Sequence, residues 1–138
     1  MKKRTPISKI MTSNVVTLNI TDTLETAEKL FKEHNIRHIP IIQNKEVIGM
    51  LSYTDLLRIS YSDVSEDEKS VDTFMYDMFT IKQVMAKNLY MVAPYASVKD
   101  VAKLLSKQEF HALPVVEDNE LVGIVTTTDL INFLVDNL

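Results

Sequence analysis

The apolar residues of this chain follow a fixed order of spacings, and that order occurs twice. Val15-Val16-Thr17-Leu18 reads as a short strand, and so does Leu89-Tyr90-Met91-Val92. A helical stripe follows each. The first is Leu24, Ala27, Leu30 and Phe31, and the second is Val98, Val101, Ala102, Leu104 and Leu105. Spacings of three, four and seven bury one face of a helix. Next come two apolar runs split by a turn. In the first copy they are Ile39-Pro40-Ile41-Ile42 and Val47-Ile48-Gly49-Met50-Leu51. In the second they are Leu113-Pro114-Val115-Val116 and Leu121-Val122-Gly123-Ile124-Val125. Asn44-Lys45 and Asp118-Asn119 occupy the turns, where Asn and Asp tolerate positive φ. A second helix is expected to start near Tyr53 and near Thr127, which makes each copy β-α-β-β-α.

The two copies lie 74 residues apart, as Gly49 and Gly123 do, and Pro40 and Pro114. Residues 7–60 overlay residues 81–134 without a gap, with 11 identities in 54 positions. A long period occurring twice indicates a duplicated α/β unit rather than a solenoid. The expected organisation is one repeat at 7–60, a linker at 61–80 and a second repeat at 81–136. The linker starts with an acidic stretch, Ser62 to Glu68. It ends with Val71, Phe74, Met75, Met78 and Phe79 at helical spacing, with Ser70 as a candidate N-cap. That pattern predicts an amphipathic helix docked on the module.

Composition narrows the function classes. The 138 residues carry a net charge of −4, 46% apolar residues and no cysteine. Disulfides, thiolate metal sites and cysteine nucleophiles are excluded. With two glycines, no P-loop and no dinucleotide fingerprint can be written. The acidic balance disfavours nucleic acid, whose phosphates call for basic surfaces. No apolar run approaches a membrane span, and no h-region follows the basic start, so a cytoplasmic location is expected. The three histidines lack a metal-ligand spacing, so no metal site and no catalytic activity are expected.

The candidate chemistry lies at the junction between second strand and second helix. Gly49-Met50-Leu51-Ser52-Tyr53-Thr54-Asp55 and Gly123-Ile124-Val125-Thr126-Thr127-Thr128-Asp129 share the pattern Gly-x-x-[Ser/Thr]-x-x-Asp. Hydroxyl and acid three apart fit a capping box, a purely structural device. The same geometry suits a nucleotide. A helix start presents unpaired N–H groups to phosphate, and a carboxylate one turn later can accept both hydroxyls of a ribose. The spacing fits both accounts.

These segments, with the openings Ile7-x-x-Ile10-Met11 and Ile81-x-x-Val84-Met85 and the apolar runs at Pro40 and Pro114, resemble the cystathionine-β-synthase (CBS) domain. The whole chain resembles a free-standing tandem CBS pair over residues 7–136. The resemblance implies an α+β fold, two β-α-β-β-α repeats packed as one pseudo-two-fold module with two clefts. It implies a regulatory, adenosine-nucleotide-binding role, with no required cofactor and AMP, ADP or ATP as ligand. S-adenosylmethionine and NAD are less expected. It also implies a homodimer and a separate target protein.

Carried over residue by residue, one cleft combines Thr126, Thr128 and Asp129 with Asn14, Val16, Thr17, Ile36, Arg37, His38 and Pro40. Asp129 would hold the ribose, with Thr126 and Thr128 on its phosphate side. Val16 and Ile36 would flank adenine, and Arg37 and His38 would face the phosphates. The other cleft combines Ser52, Thr54 and Asp55 with Asn88, Tyr90, Met91, Phe110, His111 and Ala112. Tyr90 and Met91 stand there in place of Val16 and Thr17, so the Asp129 cleft is expected to be the better site. The alternative function is a ligand-free oligomerisation or protein-interaction scaffold. Apolar helix positions Leu56, Leu57 and Ile59, and Leu130, Ile131, Phe133 and Leu134, would serve the dimer.

Overall fold

Two stretches of the chain, residues 4–60 and 76–138, are described by the computed structural model. A 3-10 turn at Ile7–Lys9 comes first. Then follow β1 (Leu18–Asn19), α1 (Leu24–His34), β2 (His38–Gln43), β3 (Glu46–Ser52) and α2 (Tyr53–Ser60). The second half contains α3 (Ile81–Val84), α4 (Val98–Lys107), β4 (Ala112–Glu117), β5 (Glu120–Thr126) and α5 (Thr127–Asp136). The architecture is α+β, and each repeat sets a small sheet against helices.

The helices form where the periodicity places them, and local chemistry sets their ends. Thr23 Oγ1 accepts the Thr26 N–H at 3.1 Å and starts α1. Asn35 ends it in the left-handed region at φ 52°, a conformation asparagine tolerates. Ser97 Oγ accepts the Asp100 N–H at 3.0 Å and starts α4. The α1 stripe buries Leu24, Ala27 and Phe31 in a cluster with Ile39, Ile41, Leu51 and Leu56. The α4 stripe buries Val98, Val101 and Leu105 with Leu113, Val115 and Val125. Each large side chain so buried contributes about 1.5–3 kcal/mol. The Phe31 ring meets Tyr53 edge-on, centroids 5.4 Å apart, and joins α1 to the start of α2.

The hairpins repeat each other residue for residue. In β2–β3, His38 lies opposite Ser52 and Ile39 opposite Leu51, with a register shift between Ile41 and Ile42. In β4–β5, Ala112 lies opposite Thr126 and Leu113 opposite Val125, with the shift between Val115 and Val116. Both turns place two residues at positive φ, Asn44 and Lys45 in one, Asp118 and Asn119 in the other.

The first strand of each repeat departs from expectation. The run Val15–Leu18 contributes only Leu18 to a strand, which pairs parallel with β2 through Leu18–Ile41 and Asn19–Ile42. The run Leu89–Val92 contributes one bridge, Val92 to Val115. The cause is proline. Val92 donates to the Pro114 carbonyl at 3.1 Å and accepts from the Val116 N–H at 2.8 Å. Extending that parallel ladder back to Tyr90 would need an N–H at position 114, and extending β1 back to Val16 would need one at position 40. Both positions are proline. In the forward direction Ile20 donates to the Ile42 carbonyl at 3.0 Å, whereas its counterpart Pro94 has no N–H to give. Hence a two-residue strand in one repeat and a single bridge in the other.

Contacts divide the chain into two units that cut across the repeats. One comprises residues 16–89, the other residues 1–15 with 90–138. Each holds the hairpin and helices of one repeat and the opening segment of the other. In the first unit Met50 and Ala86 exchange both backbone hydrogen bonds, at 3.0 and 2.9 Å. In the second Thr12 and Ile124 do the same, both at 2.9 Å. Beside each exchange a methionine lies flat on a glycine. A Cβ on Gly123 would stand 2.5 Å from Met11 Sδ, and one on Gly49 would collide with Met85 Sδ and lie 2.9 Å from its Cγ.

The linker residues Ser70 to Met75 of the expected amphipathic helix lie outside the described residues. At its end the expected stripe is corrected. Met78 is exposed, and the side chain that enters the core is Tyr76. Phe79, the other residue of that stripe, packs against the same core, and the Tyr76 hydroxyl donates to Glu28 Oε2 on α1. Burial pushes the Glu28 carboxyl up. Hydrogen bonds from Tyr76 and Lys32, with the Lys32 charge, outweigh that and hold it below its ordinary value.

Two predictions follow from these contacts. Gly49→Ala is expected to destabilise the fold by about 1–3 kcal/mol in denaturant melts, as an overpacked core does. A double-mutant cycle with Met85→Ala should show strong non-additivity, and additive effects would contradict the contact. Glu28 has a depressed folded-state value, so its contribution is present above about pH 4.3 and is lost as pH falls through the lower folded value. Tyr76→Phe should therefore cost about 1 kcal/mol at neutral pH, and the difference from wild type should shrink in acid.

Candidate functional site

The candidate site is built on the starts of α2 and α5, each entered directly from a hairpin strand. At α5, Thr126 has an extended backbone and its Oγ1 accepts the Asp129 N–H at 3.2 Å. Asp129 Oδ2 accepts the Thr126 N–H at 2.9 Å in return. This is a complete capping box, so the structural account of the motif is realised here. A carboxylate has about four lone-pair sites, so the box leaves acceptor capacity on the Asp129 side chain. Asp129 and Thr126 are half-buried, and Thr128 is exposed.

At α2 the geometry differs. Ser52 Oγ accepts the Asp55 N–H at 3.0 Å. The Asp55 carboxylate faces Arg58, with Oδ1 3.2 Å from the guanidinium. Arg58 is a functional candidate absent from the sequence reading. Its signal was available as an acid and a base three apart on one helix. The counterpart of Arg58 one period on is Asn132, which carries no charge.

The hairpin registers place basic residues next to both helix starts. Tyr53 donates to the Arg37 carbonyl at 2.8 Å, and His38 lies opposite Ser52. Thr127 donates to the His111 carbonyl at 3.0 Å, and Ala112 lies opposite Thr126. Unit 16–89 therefore brings together Ser52, Thr54 and Asp55 with Val16, Thr17, Ile36, Arg37, His38, Pro40 and Asn88. The other unit contains Thr126, Thr128 and Asp129 with Asn14, Tyr90, Phe110, His111 and Ala112. Each of the two residue sets implied by the resemblance draws on both units.

Individual placements give the candidates distinct parts. Arg37, Thr17 and Asn14 are exposed, as are His111 and Asn88. Pro40 is buried within β2, and its effect is to leave the Val16 carbonyl without a donor from the neighbouring strand. The rings of Tyr90 and Phe110 touch, with centroids 5.8 Å apart and planes 58° apart. Among the described residues there is no group of three or more His, Cys, Asp or Glu side chains able to hold a metal ion. No described helix is long and apolar enough to cross a membrane.

Comparison with known proteins agrees with this architecture. MJ1225 of Methanocaldococcus jannaschii is 28% identical over 130 residues, covering 94% of this chain and 42% of that protein. The chain thus spans about two-fifths of that relative, and the same share of the related MJ0188. The crystal structure of AcuB from Vibrio cholerae, named for acetoin utilization, superposes with a TM-score of 0.79 at 30% identity. It covers 96% of this chain and 92% of its own. CBSX2, crystallised in complex with AMP, superposes with a TM-score of 0.78 at 23% identity, over 95% of this chain and 97% of its own. That likeness is one of fold. The CBS domain family model matches residues 7–62 and again 81–136, most of the chain. Two matched repeats, each with the same hairpin register and the same hydroxyl and acid at the helix start, make this chain a member of the CBS domain family, with its domains in tandem.

Proposed function

We propose that the chain is a regulatory adenosine-nucleotide sensor without catalytic activity of its own, acting in the cytoplasm on a separate target protein. The ligand is AMP, ADP or ATP, with S-adenosylmethionine and NAD less favoured. It is held by residues from both repeats. The observation that carries this reading is the Thr126–Asp129 pair at the start of a ten-residue helix, in a chain whose family includes fold neighbours crystallised with adenosine compounds. The helix dipole favours phosphate, and Asp129 keeps acceptor capacity for a ribose diol. Asn14 lies in the same unit as Thr126, Thr128 and Asp129 and adds a side-chain amide to that set. The Asp55 set is the weaker of the two.

A second reading has its own support. The described part of α5 buries no residue, and Ile131, Leu134, Val135 and Leu138 form an exposed apolar stripe at helical spacing. Such a stripe suits self-association, either as the homodimer in which a sensor works or as the whole purpose of a ligand-free scaffold. Light scattering separates monomer from dimer, and Leu134→Glu is expected to dissociate a dimer built on this face. A monomer at micromolar concentration in the wild type would refute the dimer.

Melting temperature measured with each adenosine compound tests the sensor reading. A ligand at 100 times its Kd adds about 2.7 kcal/mol, on the order of 5–15 °C for a chain of this size. Asp129→Ala should abolish the shift, while Asp55→Ala should leave most of it. Because Asp129→Ala also removes a cap, Asp129→Asn is the control. It can still accept the Thr126 N–H, yet should bind nucleotide poorly. No shift with any adenosine compound would leave the scaffold.

A further inference from the structure

We infer that residues 5–12 are an exchangeable arm, and that the surface made by residues 94–98 and β5 accepts the same arm from a second copy of this chain. The inference is independent of the nucleotide reading and of the apolar face on α5. It starts from what the arm touches, all of it within one unit. Ile7 donates to the Ala96 carbonyl at 2.7 Å and Ser8 to the Pro94 carbonyl at 3.0 Å. Val98 donates to the Thr5 carbonyl at 2.8 Å. The two bonds between Thr12 and Ile124 close the far end, on the otherwise open edge of β5. Ile7 is fully buried in a cluster with Val98, Leu113, Val115 and Val125, and Ile10 and Met11 pack on that cluster.

The arm closes its own turn, with Lys9 donating to the Pro6 carbonyl and Ile10 and Met11 to that of Ile7. It therefore enters or leaves its dock as one piece. Beyond it the tether is thin. Ser13 and Asn14 are exposed, and the backbone bond there is internal, from Val15 to the Ser13 carbonyl at 3.1 Å. Val16, the next residue, already packs in the other unit. Every contact named above is reproduced when the arm of one copy seats on the dock of another, so exchange costs little. The two arrangements differ in concentration. A short flexible tether supplies a roughly millimolar effective concentration. Reciprocally exchanged dimers are thus a minor species at micromolar protein and a major one as the concentration approaches millimolar.

The test is complementation between two copies of the chain, each with one half of the contact disabled. Gly123→Val blocks the dock, because the three atoms nearest to a Cβ there all belong to Met11, with Sδ at 2.5 Å. Ile7→Asp disables the arm, because its cluster is apolar and holds no partner for a carboxylate. The chain has no cysteine, so introduced thiols report the contact. Residues that exchange both backbone bonds across an antiparallel pair stand about 5.5 Å apart at Cα, within disulfide reach. Thr12→Cys goes into the dock-blocked chain and Ile124→Cys into the arm-disabled chain. Both carry Leu134→Glu, so that the α5 face does not bring them together, and one carries a tag so that the mixed dimer is identified by mass. Mixed under mild oxidation, the two are expected to form a disulfide-linked mixed dimer. With the cysteines transposed, Thr12→Cys in the arm-disabled chain and Ile124→Cys in the dock-blocked one, that dimer should be lost. In chains that melt cooperatively, no mixed dimer, or equal yields in the two arrangements, would overturn the inference. If either chain fails to melt cooperatively, the two cysteine substitutions are tested without Gly123→Val and Ile7→Asp. The mixed dimer should then increase steeply between micromolar and millimolar protein, and a yield still at background near millimolar would overturn the inference.

Discussion

A β-hairpin on its own has two open edges, and an open edge presents unpaired N–H and C=O groups to any other strand. In this chain neither hairpin closes its second strand with residues of its own repeat. The outer side of β3 is met at Met50 by Ala86, and that of β5 at Ile124 by Thr12. The methionine just before each pairing residue then lies on the glycine just before its partner, Met85 on Gly49 and Met11 on Gly123. Absence of a side chain at the glycine is what lets the thioether reach the strand. The helix starts that hold the candidate chemistry follow Met50 and Ile124 within a few residues, so the straps help to fix where those starts lie.

Much of this was legible because it is local. The stripes Leu24, Ala27, Phe31 and Val98, Val101, Leu105 fix the buried helix faces. The Asn44-Lys45 and Asp118-Asn119 pairs fix the turns, and hydroxyl–acid spacing fixes the starts of α2 and α5. What escaped depended on partners distant in sequence. Val15–Leu18 has strand composition, but a strand needs a donor from its neighbour, and the neighbour offers proline. Met78 was expected to pack from helical spacing. It is exposed, while Phe79 packs as the spacing implies and Tyr76, bonded to Glu28 forty-eight residues earlier, enters the core. The exchange of opening segments leaves no mark in a repeat alignment, because both copies exchange in the same way.

The motif Gly-x-x-[Ser/Thr]-x-x-Asp shows why the structural and functional accounts could not be separated by spacing. The atoms that start the helix are the atoms proposed to meet the ligand. Thr126 and Asp129 satisfy each other's backbone and thereby hold the carboxylate in one orientation. Ser52 keeps half of that arrangement, and Asp55 turns to Arg58. Duplication preserved the scaffold closely enough that the registers match residue for residue. It allowed the flanking positions, Val16 against Tyr90 and Arg58 against Asn132, to diverge.

The crossed straps also bear on how the chain is made. Translation proceeds at about 5–20 residues per second. Met50 emerges 36 residues before Ala86, so the outer side of β3 remains bare for about 2–7 seconds at that pace. The Thr12 strap waits the other way round, with its dock at Ile124 synthesised 112 residues later. Neither unit can finish folding on the ribosome from one repeat alone. A nascent chain stalled between the repeats would carry a hairpin with no strap beside a strap with no hairpin. Either fragment is an invitation for the same segment of a neighbouring nascent chain, so crowded polysomes are where this fold is most exposed to exchange between copies.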